Sequence, residues 1–235
     1  MDKPDVSIVM PCRNEENAVG FCVEDARTWL AQSRHTGEIL VVDNGSTDNS
    51  ARIAEQHGAR VIAESNPGYG FALRRGIAES RGKIIIMGDS DTTYDFLHLD
   101  SFCTPLLAGE YDIIIGDRFA GGIEKGAMPR SHIWGVRMLS FLAGKRFHTD
   151  VRDFHCGLRG LTAEAAKQLP FQSGGMEFAT EMIALAAQQG LRIGQTPTPL
   201  RRCHQNRRSK LRTLPDGFRH LRYILTFQTH GGKQS

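Results

Sequence analysis

The stretch KIIIMGDSDTTYDF, residues 83–96, decides the fold because it joins a buried strand to a cluster of carboxylates. The run Ile84–Met87 is short and wholly apolar, and it ends at a glycine, which is typical of a strand covered on both faces. Asp89, Asp91 and Asp95 follow within seven positions. Carboxylates two residues apart can bind one divalent cation, and their hard oxygen atoms select Mg²⁺ or Mn²⁺. Taken alone, the motif also fits a solvated turn rich in Asp.

Similar apolar strands recur along the first half of the chain, and segments with helical periodicity separate them. This alternation predicts an α/β fold with a mainly parallel sheet and helices on both faces. In such sheets ligands bind beyond the carboxyl ends of the strands. We therefore expect Asp43, Asp89 and Asp117 at one edge. The predicted strands are VSIVM with its core at 7–10, EILVVD at 38–43, RVIA at 60–63, KIIIMG at 83–88 and YDIIIGD at 111–117.

The helices are predicted from apolar spacing and from residues that favour helix ends. Asn14 is expected to cap the first helix, with Glu15 and Glu16 in its first turn, where the helix dipole favours anions. The segment NPGYGFALRRGIAES is expected to be a glycine loop that leads into a helix. Further helices are predicted at 131–146, 176–190 and 218–227, a strand at LRIGQTP after the second of these, and a basic loop at 201–214.

Composition is that of a soluble globular protein. The chain has 235 residues, of which 40% are hydrophobic and 23% charged, so it can form a full core. No apolar run approaches the roughly 18 residues that a membrane-spanning helix requires. The five cysteines lack metal-site spacing, which argues against a zinc site or a disulfide framework and for a reducing cytosol. The sequence therefore predicts a cytoplasmic protein without a transmembrane helix.

Charge is divided unevenly along the chain. Residues 1–181 carry 19 Lys/Arg and 25 Asp/Glu, whereas residues 182–235 carry 10 Lys/Arg and one Asp. A basic tail on an acidic body predicts a partner with phosphates, such as a membrane surface, a phosphorylated acceptor or a nucleic acid. Residues 218–227 form an apolar face flanked by Arg219 and Arg222, the pattern of a helix on an anionic membrane surface. A merely solvated basic face is the alternative.

Five sequence blocks stand out along the chain: PCRNEEN (11–17), VVDNGSTDNS (41–50), residues 66–96, GDRFAGG (116–122) and RDFHCGLRGL (152–161). Their order resembles that of the family 2 inverting glycosyltransferases. The resemblance is closest to the polyprenyl-phosphate hexose synthases, the dolichol-phosphate mannose and glucose synthase group, and it extends to about residue 225. It implies a GT-A domain at 1–200, with a nucleotide-binding half at about 1–117 and an acceptor half at about 118–200, followed by a basic loop and short amphipathic helix at 201–235.

The resemblance also implies which residues form the site. Asp89 and Asp91 would bind Mg²⁺ or Mn²⁺ together with the sugar diphosphate, and Asp153 would lie where sugar and acceptor meet. Residues implied to hold the nucleoside and diphosphate are Pro11, Asn14, Glu15, Asp43, Gly45, Ser46, Gly68, Gly70 and Ser90, and those implied to meet phosphate are Arg118, Arg130, Arg208 and Lys210.

The expected activity is metal-dependent, inverting transfer of a hexose from a nucleotide sugar to a polyprenyl phosphate. Mannose synthases often carry Gln two positions after the second Asp of the motif. The chain has Thr93 there, and DSDTTYDF is more similar to the glucose-type branch, which favours a UDP-sugar over GDP-mannose.

The acceptor stays open at this point. A phosphate acceptor is already an anion, whereas a soluble hydroxyl acceptor needs a general base, with Asp153 the first candidate and Glu177 or Glu181 the second. The other alternative is a non-catalytic module that binds a nucleotide or a nucleic acid, although no nucleic-acid partner is expected.

Overall fold

The computed structural model describes residues 3–203 and 213–227, with side chains from residue 217 onward in the second range. The described strands are β1 (Val6–Cys12), β2 (Gly37–Asp43), β3 (Arg60–Ala63), β4 (Ile84–Met87), β5 (Ile113–Asp117), β6 (Arg159–Thr162) and β7 (Ile193–Pro197). The described helices are α1 (Val19–Gln32), α2 (Ser50–Gln56), α3 (Tyr69–Glu79), α4 (Asp100–Leu107), α5 (Arg118–Gly121), α6 (Arg130–Phe147), α7 (Ala163–Gln168), α8 (Phe178–Gln188) and α9 (Thr213–Thr226).

The described strands form one seven-stranded sheet in the order β3-β2-β1-β4-β6-β5-β7. Strands β3, β2, β1 and β4 pair in parallel with one another, and β5 pairs in parallel with β7. Strand β6 runs antiparallel between β4 and β5, where Gly160 lies opposite both Ile86 and Ile114. The predicted mainly parallel α/β sheet is therefore confirmed. The two predicted halves share this sheet, and the boundary between them stays a prediction.

The core follows from the position of the strands inside the sheet. Every residue of β4 and β5 is buried, which explains why these strands are apolar throughout rather than alternating. Because β5 is antiparallel to β6, and β6 to β4, the carboxyl ends of β4 and β5 lie at the same edge. Asp43, Asp89 and Asp117 accordingly lie at or just beyond the strand ends of one edge, as predicted.

The first helix does not begin where the sequence suggested. Helix α1 starts at Val19 with Ala18 at its N-cap, so the prediction that Asn14 caps it is wrong. Asn14 has a φ of 53° and its side-chain oxygen accepts a hydrogen bond from Thr47 N at 2.7 Å. The Asn side chain is thus used to join two loops rather than to satisfy a helix terminus.

Most other predicted elements lie close to their expected positions. Helices α3, α6 and α8 match the predictions at 66–80, 131–146 and 176–190. The predicted helix at 218–227 belongs to the longer α9, and residues 204–212 of the predicted basic loop lie outside the described residues. Strand β6 was missed because four residues, RGLT, carry too short a pattern to signal a strand.

All five cysteines lie among the described residues, and none of them forms a disulfide. Among the described residues, no helix combines the length and the hydropathy needed to cross a membrane.

Candidate functional site

The loops that follow β1, β2 and β4 meet at the carboxyl edge of the sheet. Ser90 Oγ donates to the Pro11 carbonyl at 2.8 Å, and Asn14 N donates to Ser46 Oγ at 2.9 Å. The Asp43 carboxylate accepts from Ser46 N at 3.1 Å. Three segments far apart in sequence therefore form one rigid rim, and it contains five of the predicted site residues.

Two more predicted residues belong to this rim. Glu15 is buried, and its backbone N–H donates to Ser50 Oγ at 2.7 Å. Gly45 has a φ of 76° in the turn just before Ser46, a conformation that glycine adopts without strain. The loop after β1 is thus fixed to the start of α2.

The glycine loop before α3 is held to the same rim by a residue that the sequence did not single out. The Asn44 amide donates to the carbonyls of Glu64 and Asn66 at 3.0 and 2.7 Å, and its oxygen accepts from Gly68 N at 2.7 Å. Its place between Asp43 and Gly45 in the motif VVDNGSTDNS was the available signal.

The two glycines of this loop permit a close approach of backbones. A Cβ at Gly68 would lie 2.1 Å from the Gly174 carbonyl oxygen, and one at Gly70 would lie 2.4 Å from that of Ser173. Gly70 N also donates to the Gly174 carbonyl at 3.0 Å. The loop is therefore packed against the segment that precedes α8.

Asp89 and Asp91 stand at the centre of the rim, just beyond β4. Asp89 Oδ1 accepts from the Tyr69 hydroxyl at 3.0 Å, and Asp91 Oδ1 accepts from Thr93 N at 3.1 Å and Thr93 Oγ1 at 2.5 Å. Thr93 thus orients a carboxylate of the pair.

The surroundings of Asp89 and Asp91 disfavour the state in which both carboxylates are ionised. Burial, and next the charge of Asp91, raise the pKa of Asp89 to about 7, although the Tyr69 hydrogen bond and the charges of Arg118 and Arg159 act the other way. Two hard carboxylates in this state fit a divalent cation, which would favour their ionised form. Among the described residues, no group of three or more His, Cys, Asp or Glu side chains could hold a metal ion.

The third carboxylate of the cluster has a different role. The Asp95 carboxylate pairs with the Arg201 guanidinium and lies 2.9 Å from His98 Nδ1. Arg201 N also donates to the Thr93 carbonyl at 2.9 Å. Asp95 therefore anchors the chain that leaves β7 onto the acidic loop, at the first residue of the predicted basic loop.

Arg118 and Asp153 form a buried ion pair. Arg118 Nε and Nη2 donate to the two Asp153 oxygens at 2.6 and 2.7 Å, and His155 N donates to Asp153 Oδ1 at 3.2 Å. Asp153 has no solvent exposure. A carboxylate so occupied is poorly placed to accept a proton from an acceptor, which argues against its predicted role as a general base.

Arg159 is a second buried cation, and it was not among the predicted site residues. Its guanidinium is only 1% exposed and donates to the carbonyls of Cys156 and Ala179 at 3.0 Å each. A Cβ at Gly157 would lie 2.5 Å from Asp89 Oδ2, so the loop between Asp153 and Arg159 passes directly behind the acidic pair. The spacing of Asp153, Gly157 and Arg159 in one block was the signal.

The two Glu candidates for a general base differ in how far they are occupied. Glu181 is buried, accepts from Gln172 N and Ser173 N at 2.9 and 3.0 Å, and has a pKa raised by burial. Glu177 Oε1 accepts from Gly175 N at 3.1 Å, whereas its Oε2 is buried and has no hydrogen-bond partner. Both fix the segment against which the glycine loop packs.

Three predicted residues remain, and Arg130 is the only one of them that the structure describes. Arg130 is the first residue of α6 and is exposed to solvent. Arg208 and Lys210 lie outside the described residues.

Replacing Asp89 by Asn is expected to stabilise the metal-free protein. Because the folded pKa lies above the unfolded value of 3.8, the ionised carboxylate destabilises the fold increasingly between about pH 4 and 7. Asn keeps an acceptor for Tyr69 without the charge, so the free energy of unfolding should rise by about 2 kcal/mol at about pH 8 and by less at about pH 5. Urea unfolding in EDTA measures this, and an equal or larger gain at the lower pH would contradict it.

Comparison with known proteins agrees with this geometry. The family model described as "Glycosyl transferase family 2" matches residues 7–169. The hexosyltransferase Agl6 of low-salt glycan biosynthesis in Haloferax volcanii is 35% identical over 94% of this chain, which spans about half (53%) of that relative's length. A dolichyl-phosphate hexose transferase of the same organism is 31% identical, with 84% of this chain and 83% of the relative covered.

The fold is also similar to that of a glycosyltransferase of known structure. Glucosyl-3-phosphoglycerate synthase from Mycobacterium tuberculosis, in complex with Mn²⁺ and UDP-glucose, superposes with a TM-score of 0.74 at 26% identity, over 94% of this chain and 78% of that one. The predicted GT-A fold is thereby confirmed. The chain belongs to glycosyl transferase family 2.

Proposed function

We propose that the protein transfers a hexose from a UDP-sugar to a polyprenyl phosphate, with inversion at the anomeric carbon and with Mg²⁺ or Mn²⁺. The observation that carries the proposal is the pair Asp89 and Asp91, set just beyond β4 at the rim, where the charge of Arg118 acts on Asp89. The relative named as a dolichyl-phosphate hexose transferase and the neighbour that binds Mn²⁺ and UDP-glucose support the acceptor and the donor respectively.

The rim residues would hold the nucleoside, and the acidic pair would hold the diphosphate through the metal. A bound divalent cation neutralises the diphosphate and stabilises it as a leaving group. Thr93 and Tyr69 orient the two carboxylates, so little reorganisation is needed when charge develops. Arg118 and Arg159 keep positive charge behind the pair and favour the ionised form of Asp89.

The state of two of the three candidate bases, Asp153 and Glu181, favours an acceptor that is already an anion. Asp153 has both oxygens on Arg118, and Glu181 accepts from two backbone N–H groups. A phosphate oxygen can attack the anomeric carbon without losing a proton first, whereas a hydroxyl cannot attack efficiently without a base. Arg118 would act by fixing Asp153 and by its charge rather than by leaving that ion pair to grip phosphate.

A soluble acceptor is the second candidate, and one comparison favours it. The structural neighbour is also known in complex with Mn²⁺, UDP and phosphoglyceric acid, with a TM-score of 0.74 and 26% identity. A small phosphorylated acceptor would place an anion near the same edge of the sheet and would need no membrane.

The C-terminal helix supplies the membrane part of the proposal. Helix α9 exposes Phe218 and Leu225, and Arg219 and Arg222 are exposed on it as well. Contact of this helix with a membrane surface would give access to a lipid-linked acceptor. A cytoplasmic location belongs to the same proposal.

The experiment is transfer of radiolabelled glucose from UDP-glucose with Mn²⁺, compared across acceptors. Polyprenyl phosphate in detergent is expected to yield an organic-soluble labelled lipid. With the same donor, 3-phosphoglycerate in buffer should not support comparable turnover. With polyprenyl phosphate as acceptor, labelled GDP-mannose should not replace UDP-glucose as donor. Labelled 3-phosphoglycerate product without lipid product would overturn the lipid acceptor. If neither acceptor is glycosylated with a UDP-sugar or with a GDP-sugar as donor, the transferase proposal is overturned.

A further inference from the structure

Helix α6 has an exposed apolar face opposite the side that it buries. Trp134 is 79% exposed, Phe141 63% and Met138 60%, and Leu142 is exposed beside them. At 3.6 residues per turn these four positions fall within about 100° of the helix circumference. The buried residues of α6, among them Ala143, fall on the other side. Such a patch on one helix marks an interaction surface.

The charge on this helix is of one sign. Helix α6 contains no Asp or Glu, and its basic residues are Arg130, Arg137, Lys145 and Arg146. Three of them, Arg130, Arg137 and Lys145, are exposed, and Lys145 shares a face with the apolar residues because it lies one turn beyond Phe141. The surface is therefore an apolar stripe with cations along it.

A cavity of about 700 Å³ opens beside the stripe. Phe141, Arg137, Lys145 and Arg152 line it together with Asp117 and Asp150, so an aromatic ring, three cationic side chains and two carboxylates surround one opening with a net positive charge. Arg137 also lies over the Phe119 ring at 4.6 Å, which fixes its position beside the cavity. An anionic headgroup fits an opening of this charge.

We infer that α6 docks on the surface of an anionic lipid bilayer, with Trp134, Met138, Phe141 and Leu142 inserted among the lipids and the basic residues on the headgroups. Apolar insertion together with attraction to anionic lipids is what holds an amphipathic helix at an interface. A second copy of the chain would bring the cations of one α6 against those of the other, and this repulsion disfavours it as the occupant. The inference goes beyond the proposed function, because binding to vesicles requires neither donor nor acceptor.

The test is binding of the full chain to vesicles of phosphatidylcholine with and without phosphatidylglycerol, without nucleotide. The wild type is expected to float with the phosphatidylglycerol vesicles only.

Trp134 fluorescence should shift to shorter wavelength on binding, since the second tryptophan, Trp29, is already buried. The double variant Trp134→Gln/Phe141→Gln should bind at least about tenfold more weakly. The variant Arg137→Gln/Lys145→Gln should lose about as much on anionic vesicles, and raised salt should reproduce that loss.

The matched control is Phe21→Gln on α1, where an aromatic side chain is 66% exposed on a different helix. It should bind as the wild type does, and unchanged melting temperatures of all variants establish that folding is intact. Absence of flotation by the wild type, or equal loss in Phe21→Gln, would overturn the inference. So would a wild-type dimer that Trp134→Gln/Phe141→Gln converts to monomer in sedimentation. Flotation without any glucose transfer would leave this surface standing and remove only the proposed activity.

Discussion

Asp91→Asn is expected to reduce metal-dependent sugar transfer by about 10³-fold with little change in stability. The reason is that the variant removes one of two carboxylates that fit the cation, and metal stabilisation of a leaving diphosphate contributes several kcal/mol. The amide oxygen can still accept from Thr93, so the loop keeps its shape. The measurement is the initial rate across a Mn²⁺ titration, together with the thermal shift that UDP and Mn²⁺ produce jointly.

Asp95→Asn is the matched control for this experiment. It removes a carboxylate from the same loop, but that carboxylate pairs with Arg201 and His98 and does not face the acidic pair. The Mn²⁺ dependence should therefore survive in this variant, even where its melting temperature falls. If the two variants lose Mn²⁺ dependence equally, the metal is not held by Asp89 and Asp91 in particular.

Arg118→Met is expected to destabilise the protein by about 3–5 kcal/mol, because it leaves Asp153 buried without its cation. The double variant Arg118→Met/Asp153→Leu should regain much of that loss, since replacing both members of a buried pair avoids the uncompensated charge. Urea unfolding followed by circular dichroism measures both. The double variant should still have much lower activity, because of the two arginines only Arg159 is left to favour the ionised form of Asp89.

The control is Arg192→Met, which breaks a pair with Asp112 of similar geometry at the protein surface. Solvent screens that pair, so its loss should be far smaller. Comparable losses from the buried and the exposed pair, or no recovery in the double variant, would refute a structural role for the Arg118–Asp153 ion pair.

Much of the fold was predictable because its strands are buried on both faces. Such strands are continuous apolar runs, and Ile84–Met87 ends at the acidic cluster that parallel topology then places at the sheet edge. Strand β6 was not predictable, since four residues containing Gly160 carry little apolar signal. Its antiparallel place between β4 and β5 is set by tertiary pairing.

The site was predictable in its residue types but less so in its roles. The motif DSD fits a divalent cation by its chemistry, although taken alone it also fits a solvated turn, and the resemblance to the family indicated the residues of the rim. Sequence could not distinguish a free carboxylate from a neutralised one, so Asp153 was the first candidate for a general base in the case of a hydroxyl acceptor, although Arg118 occupies both of its oxygens. Asn44 was missed because its role also depends on contacts that form only in the folded protein. Its three hydrogen bonds reach residues more than 19 positions away in the sequence.

The central claim is that Asp89 and Asp91 hold a metal and a nucleotide diphosphate at the edge formed by the loops after β1, β2 and β4. A crystal structure of the protein with UDP and Mn²⁺, with anomalous data collected for manganese, tests it most directly. We predict an anomalous peak in contact with the Asp91 carboxylate, the diphosphate on the same ion, and the uridine along the rim that contains Asp43 and Asn14. Manganese elsewhere, or UDP bound away from that rim, would contradict the account.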